Sequence, residues 1–332
     1  MVAVRRLATL VLLAAACHQP VEYSTTAASG VIKLRVVDNT VAGEVSGIDD
    51  SRALASLGSE SFLVCTGSGQ LHRFSSPDMS LDTSFAIGPS SGSGYADIIL
   101  PKPGVAYVIG AAGRILEVNV GMGAVVDEIT VGPLPVGLCA SPVSQLFYVV
   151  DGSDGRIREV DSADNTVLRS TEPLDEPAVE ATVESHQDRY LLVACADDAG
   201  SVYAVDLATF YVSDAAELGS VCSGAQAFPA ESIWAATHPN WYGSTGSVSV
   251  CANFTQPDVM VLPIAGHPVD VCSVPGTTLF YVLSYMGDGI SAVTAVDFIT
   301  GGKTDPIPLD GFPWDITSHA NGEYVLVLTS EI

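Results

Sequence analysis

The stretch HPNWYGSTG, residues 238–246, sets a histidine and two large aromatics close together: His238, Trp241 and Tyr242. Further along stand His267 before Pro268, Tyr285, Phe312 before Pro313, and Trp314. Side chains that present a flat apolar face and a polar edge suit the recognition of sugars, peptides or protein partners. A second group is carboxylic: Asp97, Asp270 and Asp315. Converging carboxylates hold a hard cation such as calcium, which takes roughly six to eight oxygen ligands, so three would need carbonyls and water beside them. Calcium is the one ion these residues suggest, and no other cofactor is expected. A repeated Asp also has a plain structural use, capping a turn through its own backbone.

Six cysteines follow Cys17: Cys65, Cys139, Cys195, Cys222, Cys251 and Cys272. An even number permits disulfides in an exported chain. Cys195 ends one expected strand and Cys222 begins the first strand of the next unit, which makes Cys195 and Cys222 the expected pair. Cys139 and Cys272 fall at matching positions in units three apart, beyond the roughly 7 Å that two bridged Cα atoms allow. They read as buried small hydrophobes. Local enzyme signatures are missing: no Cys-x-x-Cys-His, no His-Glu-x-x-His, no Walker loop and no Gly-x-Ser-x-Gly. No catalytic residue is assigned on this basis, although a site assembled from distant loops would leave no such motif.

What must position these residues is a repeat. In residues 146–172, LFYVVDGSDGRIREVDSADNTVLRSTE, an alternating apolar run ends at a Gly and Asp turn, a second run follows, an Asp-Asn-Thr turn breaks it, and a third begins. Equivalent glycines stand at Gly30, Gly69, Gly113, Gly155, Gly200, Gly246 and Gly289, with spacings of 39, 44, 42, 45, 46 and 43 residues. A period near 43 with several short strands per unit is that of a β-propeller blade, which needs neighbouring copies to cover its faces. The first unit lacks the strands before its glycine, and the last pre-glycine strand, 324–328, has none after it. Residues 30–46 therefore supply the third and fourth strands of a blade whose first two are 312–329. The expected fold is all-β, a seven-bladed β-propeller over residues 30–332 with two-plus-two strand closure of the last blade by the N-terminal segment. On this scheme Asp97, Asp270 and Asp315 take equivalent places near the channel axis, and the aromatics come from three sequential units on one face.

The runs FYVVDGSDGRIREVDSADNTV, LFYVLSYMGDGISAVTAVDFITG and AYVIGAAGRILEVNVGMGAVVDEITVGPLP resemble the YVTN repeats of bacterial and archaeal β-propellers. The resemblance covers almost all of residues 30–332. It implies the propeller fold and leaves function open, because propellers of this kind include surface and periplasmic binding proteins as well as relatives with electron-transfer activity.

Residues 1–16 carry a basic start at Arg5 and Arg6 and an apolar run too short to span a bilayer, as an export signal does. LAAAC, residues 13–17, resembles the lipobox of bacterial lipoproteins, which implies lipidation at Cys17, with residues 17–29 as a polar tether and the protein anchored to the cell envelope through the lipid. His18 follows Cys17 where an Asp would retain a lipoprotein at the inner membrane, so the resemblance implies the outer membrane. The chain has 38 acidic against 13 basic residues, a net charge of -25, and no Lys or Arg cluster after Arg6. Nucleic acid, which needs a cationic footprint, is excluded as a partner. Together the resemblances imply a cell-envelope lipoprotein whose propeller is a binding or scaffold module for a protein, glycan or small molecule. An extracytoplasmic enzyme, lactonase-like or quinoprotein-like, is the alternative.

Overall fold

The computed structural model describes residues 30–88, 97–183, 189–228, 232–253 and 258–330. The expected signal, residues 1–16, and the tether, residues 17–29 with Cys17, lie outside them. Every strand described belongs to one of seven four-stranded antiparallel sheets. Six are built from consecutive strands: blade 1 is residues 51–86, blade 2 is 98–130, blade 3 is 135–170, blade 4 is 178–217, blade 5 is 224–265 and blade 6 is 267–310. Blade 7 is composite. Phe312–Ser318 and Tyr324–Ser330 form its inner half, and Gly30–Arg35 and Thr40–Ser46 its outer half. Gly30–Arg35 pairs with the C-terminal strand without a break, from Gly30 opposite Thr329 to Arg35 opposite Tyr324. The two-plus-two closure is the one expected.

Why these segments are strands follows from where their side chains go. The second strand of each blade is covered on both faces by neighbouring blades, so its apolar run is nearly continuous: Phe147 to Val150 in blade 3, Leu191 to Cys195 in blade 4, Phe280 to Leu283 in blade 6 are all buried. Outermost strands such as Thr40–Ser46 and Leu81–Ala86 are covered on one side only, and their exposure alternates accordingly. The core is divided into seven apolar clusters, and each spans one blade–blade junction. Leu63, Leu71 and Val108 meet between blades 1 and 2. Tyr281, Leu283 and Val327 meet between blades 6 and 7, and Val31, Leu328 and Phe62 meet between blades 7 and 1. The last junction exists only because the N-terminal strands complete blade 7.

The innermost strands share one irregularity. In blades 1, 3, 4, 6 and 7 the pairing of first with second strand slips by one residue at the same place, at Arg52, Val136, Val179, Val269 and Trp314. A bulge of this kind bends the strand and re-aims a side chain. All five bulge residues line the central channel.

Removing residues 1–29 leaves every junction intact and should give a soluble protein with a single cooperative unfolding transition. Removal through Ser46 strips the outer half of blade 7 and the fully buried Val31 and Leu34, each of which contributes about 1.5–3 kcal/mol. That shorter protein should aggregate or lose the sharp transition in a thermal melt followed by circular dichroism.

Candidate functional site: the channel mouth

One end of the central channel opens into a cavity of about 630 Å³. First strands from all seven blades and the loops after the second strands of blades 4 and 5 line it. Two rings, Trp241 and Trp314, line it, and an unbroken arc of rings outside the lining joins them. Trp241 stacks on His267 with centroids 4.9 Å apart, His267 lies 6.3 Å from Tyr285, Tyr285 is 5.0 Å from Phe312, and Phe312 meets Trp314 edge-on at 5.7 Å. The guanidinium of Arg52 closes the arc, 4.7 Å from the Trp314 ring. The arc is possible because each member sits at a loop or strand end that the ring brings to the same face. His267 and Phe312 begin the first strands of blades 6 and 7, Tyr285 follows the buried run in the second strand of blade 6, and Trp314 is a bulge residue. Trp314 is fixed by an Nε1–H bond to Ser330 Oγ at 2.6 Å. Trp241 is 37% exposed and Tyr242 fully so. Tyr242 stands off the arc, with no ring partner among the described residues.

His238 belongs elsewhere. The second strand of blade 5 runs one residue further than the sequence suggests, to His238, which pairs with Ser247 and is only 2% exposed. Its Nδ1–H faces the carbonyls of Ser220 and Val221, at 3.1 and 3.2 Å, and its Nε2 accepts from Ser249 Oγ at 2.8 Å. Burial holds the imidazole below its ordinary pKa, with the two carbonyls acting against it. The ring is therefore a neutral core group that ties a loop to the blade, not a rim ligand.

Below the rim lie the carboxyls. Asp97, Asp270 and Asp315 occupy equivalent places, as expected, and each reaches across to the next blade. Asp97 Oδ2 accepts the N–H of Leu138 at 2.7 Å, Asp270 Oδ2 that of Ile316 at 3.1 Å, and Asp315 Oδ2 that of Leu54 at 2.7 Å. Asp97 and Asp270 also take the N–H of the following residue in their own strand, at 2.7 Å each. The three aspartates are latches between blades 2 and 3, 6 and 7, and 7 and 1. A fourth carboxyl, Glu180, stands at the matching place in blade 4, directly after its bulge. The signal for it was present: Val179-Glu180 repeats Val269-Asp270, with a longer acid. Glu180 latches nothing, since blade 4 is tied to blade 5 by Thr182 Oγ1, which accepts the N–H of Ala227 at 2.9 Å.

Four carboxyls so placed cannot all ionise at no cost. Burial pushes Asp97 and Asp270 upward, Asp270 to about 6. Asp315 is raised well above the carboxylate range by burial and then by the charge of Asp270, to which its carboxyl is hydrogen-bonded. Glu180 is also raised well above it, by burial first and then by Asp97, Asp270 and Asp315. Among the described residues no three His, Cys, Asp or Glu side chains gather as the ligands of one metal ion. No histidine lines the cavity.

Cys195 and Cys222 meet at the junction of blades 4 and 5, where the N–H of Cys222 lies 3.4 Å from the carbonyl of Cys195. Both are nevertheless free thiols, so the expected disulfide is not formed here. The side chains turn to different neighbours: Cys195 Sγ to the carbonyl of Glu176 at 3.9 Å, Cys222 Sγ to His238 Nδ1 at 3.9 Å. Burial pushes the Cys222 thiol up to about 12, and the neighbouring imidazole has no free base to offer it.

No protein-family model matches the chain, and no curated protein matches it significantly. Solved structures do match in shape. Hydrazine synthase of Kuenenia stuttgartiensis superposes with a TM-score of 0.71 at 16% identity, over 85% of this chain and 95% of that one. The Pan2 WD40 domain of Neurospora crassa gives 0.62 at 14% identity, over 83% and 88%, and U3-55K gives 0.65 at 11%, over 84% and 95%. The chain is a seven-bladed β-propeller. Identities this low carry the fold and nothing of the chemistry.

The carboxyl cluster makes a pH prediction. A carboxyl raised in the fold binds its proton more tightly there than in the unfolded chain, so its contribution to stability falls as pH rises, for Asp270 from the ordinary 3.8 through about 6. His238 and His319, held neutral by burial, work the other way below 6.5. Comparing variants isolates the carboxyls. Glu180→Gln should raise the melting temperature at about pH 7.5, with the gain shrinking toward about pH 5. Asp315→Ala, which leaves the N–H of Leu54 without its acceptor, should lose about 1–3 kcal/mol in urea unfolding, and Asp315→Asn much less.

Proposed function

We propose that the chain is a cell-envelope lipoprotein whose propeller presents the channel mouth as a binding site for a ligand or partner. The observation that carries this reading is the continuous arc from Trp241 to Trp314 above an open cavity. A rim packed only for stability has no need to leave Trp241 more than a third exposed beside a cavity of about 630 Å³, a size within the range of ligand pockets. The arc is also pre-ordered: each ring rests on the next, so little side-chain entropy remains to be lost on binding. In this reading the YVTN-like repeats supply the rigid ring and the insertion at residues 238–246 supplies the variable lip. The lipid on Cys17 and the polar tether of residues 17–29, with a reach of about 20 Å if flexible, hold the propeller at the membrane surface, the outer membrane by the sorting rule noted above.

Two measurements test it. Intrinsic tryptophan fluorescence of the wild-type protein, titrated with a panel of soluble glycans, peptides and amines, should show saturable binding by at least one of them. The double variant Trp241→Ala, Tyr285→Ala should weaken that binding about tenfold or more while the melting temperature stays within a few degrees, as expected for rim residues. Equal binding by the variant would refute a rim site. Separately, Cys17→Ala should shift the protein from the membrane pellet to the soluble fraction of the cell.

A further inference from the structure

Of the four buried channel carboxyls, Glu180 is the one that ties no blade to the next. Asp97, Asp270 and Asp315 each pin the first strand of the following blade through an N–H. The corresponding link from blade 4 is made by Thr182, and the Glu180 carboxyl receives the N–H of its own neighbour Ala181. It lines the cavity and faces three other acids across it. Leu138 and Ala225, on the first strands of the two blades beside it, also line the channel and bring apolar side chains. A Gln here would fill the same space at lower electrostatic cost, so the acid stands here at a cost in stability, as ionisable groups at functional sites do.

The remainder of the wall decides the sign of the ligand. Among the described residues the lining holds five acids, Asp97, Glu180, Asp198, Asp270 and Asp315, and one base, Arg52. The charge of Arg52 is already matched by Asp50, at 2.6 Å, and its guanidinium is spread on Trp314. No lysine reaches the cavity. The walls above the acids are apolar and aromatic, with Val136, Val179 and Val269 at bulge positions and Trp241 and Trp314 at the rim. A bare metal ion is poorly served, because no three ligating groups come together. An organic cation fits both halves: a positively charged head among separated carboxyls and an apolar body against aromatic faces.

Resting on the reading of the channel mouth as a binding site, we propose that its ligand is a small organic ammonium, its charged head held by Glu180 and its apolar body by Trp241 and Trp314. The head lies near the latch aspartates without displacing their bonds to backbone N–H groups. Asp270 in the acid ring is three residues along the strand from His267 at the rim, at most about 10 Å at roughly 3.3 Å per residue, so the ligand needs a stem between ring-stacking body and head.

The test uses three probes of one shape and different charge: 4-phenylbutylamine, 4-phenylbutanol and 4-phenylbutyrate, titrated calorimetrically into the protein lacking residues 1–29, with calcium chloride as a fourth arm. The amine should bind, and the alcohol and the acid should bind at least about tenfold more weakly. Glu180→Gln, which keeps the shape of the side chain, should lose about tenfold or more in amine affinity and leave the weak binding of the alcohol unchanged. Trp241→Ala should weaken amine and alcohol alike. Equal affinity for amine and alcohol, an undiminished amine affinity in Glu180→Gln, or binding of calcium alone would overturn the proposal. If the amine fails while a glycan or peptide binds in a Trp241-dependent way, the cation assignment falls and the rim site stands. If neither binds, both fall.

Discussion

A four-stranded sheet with two apolar faces cannot exist by itself in water, and every feature of this molecule follows from how that constraint is met. Each blade covers its faces with its two neighbours, which is why the seven core clusters lie at junctions and none lies within a single blade. A linear stack would leave two faces bare. The ring removes them, and it is closed by main-chain pairing of Gly30–Arg35 with Tyr324–Ser330. Closure has a geometric by-product: seven first strands converge on one axis, and whatever their side chains carry is concentrated there.

What they carry is a division of labour. The bulges at Arg52, Val136, Val179, Val269 and Trp314 turn one residue per strand toward the axis, and the residue after each bulge is free to reach sideways. Where that residue is Asp it ties its blade to the next. Where it is Gly, as at Gly137, the neighbouring strand comes close: an added Cβ would stand 3.9 Å from Glu180 Cα. Glu180 does neither. The repulsion among the four carboxyls is tolerated because three of them are offset by N–H bonds from the next blade, and the fourth, pushed upward by burial and by the other three, has no such partner across its junction. A positive charge entering from the aromatic mouth would be that partner. The structural and the functional readings of the channel therefore meet at one side chain.

Much of this was legible from residue order. Glycine spacing gave blade number, the truncated first unit gave the closure, and alignment of first strands brought Asp97, Asp270 and Asp315 together. The aromatic arc was legible for the same reason, since Trp241, His267, Tyr285, Phe312 and Trp314 recur at loop and strand ends that a ring must gather. Glu180 is harder to see in the sequence because it is Glu where the equivalent residues are Asp, and Ala178 stands where Pro268 and Pro313 precede two of the other acids. His238 was misplaced for a different reason. It lies at a strand end where other blades put Thr66, Asp151, Cys195, Ser284 or Thr329, all buried, and nothing in residue type alone says whether a histidine there turns in or out. The Cys195 and Cys222 pairing failed at the same level of detail: the backbones adjoin, and the side-chain directions differ.

The channel reading turns on the unlatched Glu180 carboxyl, which burial and the three facing aspartates push well above its ordinary range and which an arriving cation should return toward it. Infrared difference spectroscopy addresses it directly, because a protonated carboxylic acid and a carboxylate absorb at well-separated frequencies. At neutral pH the wild-type protein should show a buried carboxylic-acid C=O band that is absent in Glu180→Gln and that gives way to a carboxylate band when 4-phenylbutylamine is added. A Glu180 carboxyl already ionised at neutral pH, or an acid band untouched by saturating amine, would contradict the account.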